Sequence, residues 1–250
     1  MLTLYHYWSS VCSQKVRLCL AEKDIEWESR HVDLFNDFDH WNPDYVKLNR
    51  KAVVPTIDHD GRLLIESNVI IEYLDDAFPD IPMKPADAYA RGRMRLWMYD
   101  SEEIAHKHIN TASYNPRHAV RLATRYTKEE LVEVMSGHPN PEIRERVVRR
   151  AREGVPQAEE DAAYRALDAL LDEMEESLAA GPWLVGDMFT LADIAMASYV
   201  NRIDALPRPE MLSPAIRPRV ADWWQRLQAR PGFIDAFSFP NPVAGDPMTR

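Results

Sequence analysis

The first eighty residues alternate short apolar runs with helical periodicity, while the remainder keeps only the helical period. Positions 2–7 form an apolar and aromatic run of strand length. From position 11, Cys12, Val16, Cys19 and Leu20 recur on one face while Gln14, Lys15, Arg17 and Glu22 fall elsewhere, which predicts a helix over 11–23. Three further strands are predicted over 27–32, 53–58 and 62–65, the last two joined through Asp60-Gly61, a hairpin turn signal. Positions 43–48 read as a short helix. After Ser67, Ile70, Tyr73, Leu74 and Ala77 share another helical face, and the proline-rich stretch 79–85 reads as a linker. The order βαβ, hairpin, helix describes a small mixed-sheet α/β unit over 1–80.

Beyond Pro85 the strand signals vanish. One long helix is predicted over 87–112. Thr127 with Glu130 makes a capping box, and Asn140-Pro141 starts another helix. Over 158–179, Ala163, Leu167, Leu170, Leu171, Met174 and Leu178 face inward. Thr190 with Asp193 is a second capping box, with Phe189 and Ile194 at the positions of a hydrophobic staple. Helices over 218–229 and 233–237 complete an all-helical second domain, 86–239. The tail 240–250 reads as an exposed strap or loose end.

Composition narrows the function classes. The 250 residues are 46% hydrophobic with a net charge of −10, which argues against phosphate neutralisation and against docking on an anionic membrane. No apolar run approaches the roughly 18–20 residues that span a bilayer, and the N-terminus lacks the basic and apolar regions of a secretory signal. The two cysteines stand seven apart on one predicted helix, about 10 Å of rise, too far for a disulfide. A reducing, cytoplasmic location is expected.

The chemistry concentrates where the first strand turns into the first helix, in Ser9, Ser10, Cys12 and Ser13. Unpaired amides and the helix dipole favour an anion there and lower the pKa of a thiol. Ser10 is equally suited to be only an N-cap, and Cys12 to be a small core hydrophobe beside Val16. Val54-Pro55 stands at a strand entrance, where a cis bond would expose the Val54 backbone for pairing with a peptide-like ligand. At Glu66-Ser67, Ser67 is placed to cap a helix and Glu66 to accept from an ammonium group. His106 and His108 lie two apart on the long helix and do not share a face. Arg144, Arg146, Arg149, Arg150 and Arg152, interleaved with glutamates, read as a solvated, salt-bridged helix face, with an anion-attracting rim near the cleft as the alternative. No metal-ligand spacing appears, so no metal is expected.

In order and spacing, 10-SVCSQKVRLCLAEK-23, 53-VVPTI-57, 64-LIESNVIIEYLDD-76 and 183-WLVGDMFTLADIAMA-197 resemble the glutathione S-transferase superfamily. The resemblance covers nearly the whole chain. Its insertion, 126-YTKEELVEVMSGHPNPEIRERVVRRAREGVP-156, is closest in pattern to the bacterial β-etherase-like members. It implies a thioredoxin-like N-terminal domain that binds glutathione as co-substrate and a helical C-terminal domain that shapes the second site. Ser10 would stabilise the glutathione thiolate as the catalytic residue. Val54 beside cis-Pro55, with Glu66 and Ser67, would hold glutathione, and Tyr7 and Trp8 would face a hydrophobic electrophile. Asp193 matches a buried capping residue. Asp100 would reach the glutathione of a partner subunit in a homodimer. Val53 stands where many members carry Gln or Lys, so that contact is absent, and Lys51 is placed to reach the glycyl carboxylate instead. The turn also resembles zeta-type members, in which a cysteine two beyond the serine lies near the site. The implied activity is displacement by glutathione, including aryl-ether cleavage. Glutathione-dependent isomerisation and non-catalytic glutathione or ligand binding are the alternatives.

Overall fold

The computed structural model describes residues 1–241; positions 242–250, most of the expected strap, lie outside the described residues. Strands β1 (Leu2–His6), β2 (Glu28–His31), β3 (Thr56–His59) and β4 (Arg62–Ile65) form one sheet in the order β2-β1-β3-β4. β1 and β2 are parallel, so a crossover must join them, and α1 (Val11–Glu22) supplies it. The β3–β4 hairpin turns at Asp60 and Gly61, both at positive φ (53° and 81°), as a tight two-residue turn requires.

Register places the functional segments. Tyr5 pairs with Thr56, and Thr56 with Ile65. The chain leaving β1, the chain entering β3 and the chain leaving β4 therefore emerge at one end of the sheet. β3 starts three residues later than expected because Val53 is held in the preceding loop. Its carbonyl accepts from the Tyr45 hydroxyl at 2.7 Å and from Asn49 Nδ2 at 2.8 Å. The Val54–Pro55 bond is cis, as expected. β1 ends at His6 because the Ser10 amide closes a turn onto the Tyr7 carbonyl.

The helix α1 departs from its amphipathic reading. Gln14, Lys15 and Arg17 are as buried as the apolar face, because α1 is packed against helices on several sides. Burial of such charges is tolerable only with partners. Lys15 Nζ donates to Asn68 Oδ1 at 2.7 Å and pairs with Glu102 at 2.9 Å. Arg17 donates to backbone carbonyls, Ala236 among them.

The remaining helices are α2 (Pro43–Leu48), α3 (Ser67–Ala77), α4 (Ala88–Asp100), α5 (Lys107–Ala112), α6 (Val120–Ala123), α7 (Lys128–Ser136), α8 (Pro141–Glu153), α9 (Gln157–Ser177), α10 (Leu191–Asp204), α11 (Pro218–Gln228) and α12 (Pro231–Phe237). The predicted long helix runs through α4 and α5 with a π-helical segment, Ser101–His106, between them. Both capping boxes form, and the six predicted inward positions of 158–179 are buried. Asp193 is completely buried and accepts from the Leu184 and Thr190 amides and from Trp223 Nε1. A continuous apolar core runs from Leu4, Ile57 and Ile70 through α1 to Met94, Leu171, Ala195 and Trp223. The sheet unit and the helical unit are thereby fused along one side, and the cleft opens on the other.

Candidate active site

Two buried guanidinium groups hold the turn after β1. Arg17 donates to the carbonyls of Tyr7 at 3.4 Å and Trp8 at 2.7 Å, and Arg202, from α10, donates to that of Ser9 at 2.7 Å. Burial lowers the pKa of both to about 9. The turn delivers Ser10 as the N-cap of α1, its Oγ accepting from the Ser13 amide at 3.3 Å. The hydroxyl hydrogen has no acceptor among the described residues, and Ser10 stands on the wall of a cavity of about 300 Å³. The cap and a hydroxyl donor are therefore one residue.

Cys12 is more than a core filler. Its Sγ lies 3.4 Å from His106 Nδ1 and 3.8 Å from the Tyr199 hydroxyl. Burial pushes the thiol up, but the neighbouring His106, with help from Lys15, brings it below its ordinary value. The Cys12 sulfur correspondingly raises His106. The other ring nitrogen of His106 meets the Asn110 side-chain amide at 2.9 Å, and His106 lines the cavity. His108 instead contacts the Ile104 carbonyl one turn back on its own helix and does not line the cavity. Cys12, Glu102 and His106 also place one ligand atom each within 4.8 Å of one another, a grouping that sequence spacing did not reveal. The Lys15 ammonium already occupies Glu102, which opposes a cation there.

Val54, Pro55, Glu66 and Ser67 meet at the same sheet end but lie outside the cavity wall. The Val54 peptide N–H and C=O take no hydrogen bond among the described residues, which leaves them able to pair with an extended ligand. Ser67 does not cap α3. It is the first helical residue, and its hydroxyl donates to Glu102 at 3.1 Å. Glu66 occupies the cap position at φ 71° and pairs with Lys51 at 2.7 Å, so Lys51 faces Glu66. Tyr7 lines the cavity and its hydroxyl accepts from Arg121. Trp8 does not line it, and its side chain packs in a cluster with Val32, Tyr45 and Val54.

The cavity's other walls were not read from the sequence. The loop after β2 contributes Phe35, Phe38 and Trp41, with Phe38 stacked on Trp41 at 4.5 Å. The helical unit contributes Tyr114, His118 and Met135, with His118 stacked on Phe35 at 5.4 Å. Aromatic residues crowded into a loop without periodicity were the available signal. Arg146 and Arg150 also line the cavity, which corrects the reading of the basic run as a wholly solvated face. Arg149, paired with Glu159, and the exposed Arg152 keep that role. Burial and four nearby arginines, Arg202 foremost, lower the His118 pKa to about 3.

The family model for the glutathione S-transferase N-terminal domain matches residues 4–82, and that for the C-terminal domain matches residues 142–226. Over 247 residues the chain is 31% identical to Protein LigF of Sphingobium sp., covering 94% of this chain and 93% of that one. It is 29% identical over 258 residues to the tetrachloro-p-hydroquinone reductive dehalogenase of Sphingobium chlorophenolicum, covering 96% and 97%. It is 30% identical over 211 residues to the probable maleylacetoacetate isomerase of Caenorhabditis elegans, covering 82% and 83%. The crystal structure of the beta-etherase LigF superposes with a TM-score of 0.86 at 30% identity, covering 95% of this chain and 98% of that one.

Proposed function

Because the chain belongs to the glutathione S-transferase superfamily, we propose that it attacks an apolar, aromatic electrophile with the thiolate of bound glutathione, cleavage of a β-aryl ether being the favoured reaction. The observation that carries this reading is Ser10. It caps α1, faces the aromatic cavity and keeps its hydroxyl hydrogen for a ligand. A hydroxyl and helix amides aimed at a sulfur favour its anionic form. The Val54 backbone beside Pro55 pairs with the cysteinyl unit, and Glu66 and the Ser67 amide hold the γ-glutamyl end, Glu66 exchanging Lys51 for the ligand ammonium. In an α-aryloxy ketone the thiolate forms a C–S bond at the carbon next to the carbonyl. The C–O bond breaks with its electron pair on the phenolate, and His106 is the cavity residue able to supply that oxygen with a proton.

Domains 1–80 and 86–239, a homodimer and a cytoplasmic location complete the reading. Exposed Tyr89, Leu96 and Tyr99 on α4 support the dimer. No helix among the described residues is long and apolar enough to cross a membrane. Glutathione-dependent isomerisation is the second reading, favoured by the Caenorhabditis relative and by a polarised Cys12 behind Ser10. Turnover tests separate them. Aryl ethers should release a phenol with one glutathione consumed per turnover. Isomerisation of a maleyl compound without glutathione consumption would favour the second reading, and retention of glutathione with no turnover would favour a binding protein.

A further inference from the structure

Acidic residues outnumber basic ones by 40 to 30 in the chain, yet no Asp or Glu lines the cavity. Three arginines do: Arg146 and Arg150 from α8 and Arg202 from α10. Residues 146 and 150 are one helical turn apart and so share a face of α8. Arg146 makes no hydrogen bond or ion pair among the described residues. Arg150 donates from Nη2 to Thr111 at 3.0 Å and lies 3.7 Å from Glu159, while its buried Nε has no partner. Its guanidinium stands 5.5 Å from the centre of the Tyr114 ring. Arg146 is exposed at the cavity rim and Arg150 is half-buried with its Nε unpartnered, so both can meet an anion that enters the cavity, which a neutral arene alone would not require. Aromatic walls and unmatched cationic donors in one cavity match one kind of molecule, an aromatic ring bearing a carboxylate.

We propose that the electrophile taken by this cavity is an aryl compound carrying a carboxylate, seated by Arg146 and Arg150. This rests on the transferase reading for the word electrophile, but not for the anion site itself. Arg202 closes the same wall while holding the Ser9 carbonyl, so it ties the anion end of the cavity to the turn that carries Ser10. The glycyl carboxylate of glutathione offers the same chemistry, and the experiment separates the two sources.

Binding is measured by calorimetry on the full-length protein without glutathione, using 2-naphthoate and its uncharged near-isostere 2-acetylnaphthalene. The expected result is roughly tenfold or more tighter binding of the naphthoate. That preference should weaken with salt, fall to about unity in the Arg146→Met Arg150→Met double variant, and survive in part in Arg150→Lys, which keeps the charge if the double variant folds poorly. Glutathione affinity, titrated in parallel, should fall far less than naphthoate affinity. Equal binding of the two probes overturns the proposal, as does an unchanged preference in the double variant. Loss of glutathione binding with naphthoate binding intact assigns the arginines to the glycyl carboxylate and also overturns it. An arginine-dependent preference in a protein that turns over no ether supports the anion site and sinks only the transferase reading.

Discussion

The two walls of the cleft are built in opposite ways. The sheet-end wall uses three short segments, Tyr7–Ser10, Val54–Pro55 and Glu66–Ser67, brought together by strand register alone. The opposite wall draws side chains from the loop after β2, from the helical stretch around His106, from positions 113–118, and from α7 and α8, segments far apart in sequence. The first wall presents backbone groups, the Ser10 and Ser67 hydroxyls and the Glu66 carboxylate, which suits the one ligand proposed for it, glutathione. The second presents aromatic rings, histidines and arginines, which suits a ligand that differs between related proteins. The proposed catalytic and specificity roles thus sit on structures with different sequence legibility.

Removing the hydroxyl of the first wall should have the largest effect. Ser10→Ala is expected to cut conjugation about a hundredfold or more, as for loss of a donor to a developing or held anion, while naphthoate binding at the second wall stays. A drop of only a few-fold, measured as kcat/KM on an aryl ether, would show that the helix amides suffice.

Acid should act next, and it acts on both walls. His6, under the sheet end, and His40 and His118, on the cavity, are held neutral, with pKa values lowered to about 3, 4 and 3, chiefly by burial. Unfolded histidine titrates near 6.5, so below that pH the unfolded chain binds protons that the folded protein refuses. This stability is intact above pH 6.5 and is lost as the pH falls toward 4. Each histidine contributes up to about 1.4 kcal/mol per pH unit in that window. Denaturant melts at pH 7 and 5 should show the loss, and His118→Phe should reduce it. Identical melts at the two pH values contradict this assignment.

Phe35 tests the second wall by itself. Its ring stacks on His118 and lies 4.2 Å beneath the Arg121 guanidinium. Phe35→Ala should raise the KM for an aryl ether by about tenfold, with the KM for glutathione nearly constant. Parallel rises in both constants would mean that the two walls are not separable.

The smallest effect concerns the two cysteines of α1. Cys12 has its thiol lowered beside His106, whereas burial raises that of Cys19 well above the ordinary range. Iodoacetamide at neutral pH should label Cys12 in preference to Cys19, and His106→Asn should slow the labelling. Equal labelling in the variant would remove the pair from any functional role.

This contrast explains what was readable beforehand. Cap boxes, the hairpin turn, the cis proline and the order of elements are local signals, and each appeared where the pattern placed it. The burial of Lys15 and Arg17 was not readable, because covering of α1 on its polar side depends on α10 and α12, which follow far later in the chain. Arg146 and Arg150 looked like surface residues because alternation with glutamates is the pattern of a solvated face. The packing of α8 beside the cavity puts Arg150, half-buried, on its wall and the exposed Arg146 at its rim. The packing of Trp8 with Val32, Tyr45 and Val54 was not readable either, because sequence adjacency to Tyr7 says nothing of those neighbours.

The central claim is that Ser10 exists to hold a sulfur as an anion. Ultraviolet titration of glutathione bound to the protein reports its thiolate directly. The account predicts an apparent thiol pKa lower than that of free glutathione by about one unit or more, returning most of the way in Ser10→Ala. The same pKa in the wild type and the variant would contradict it.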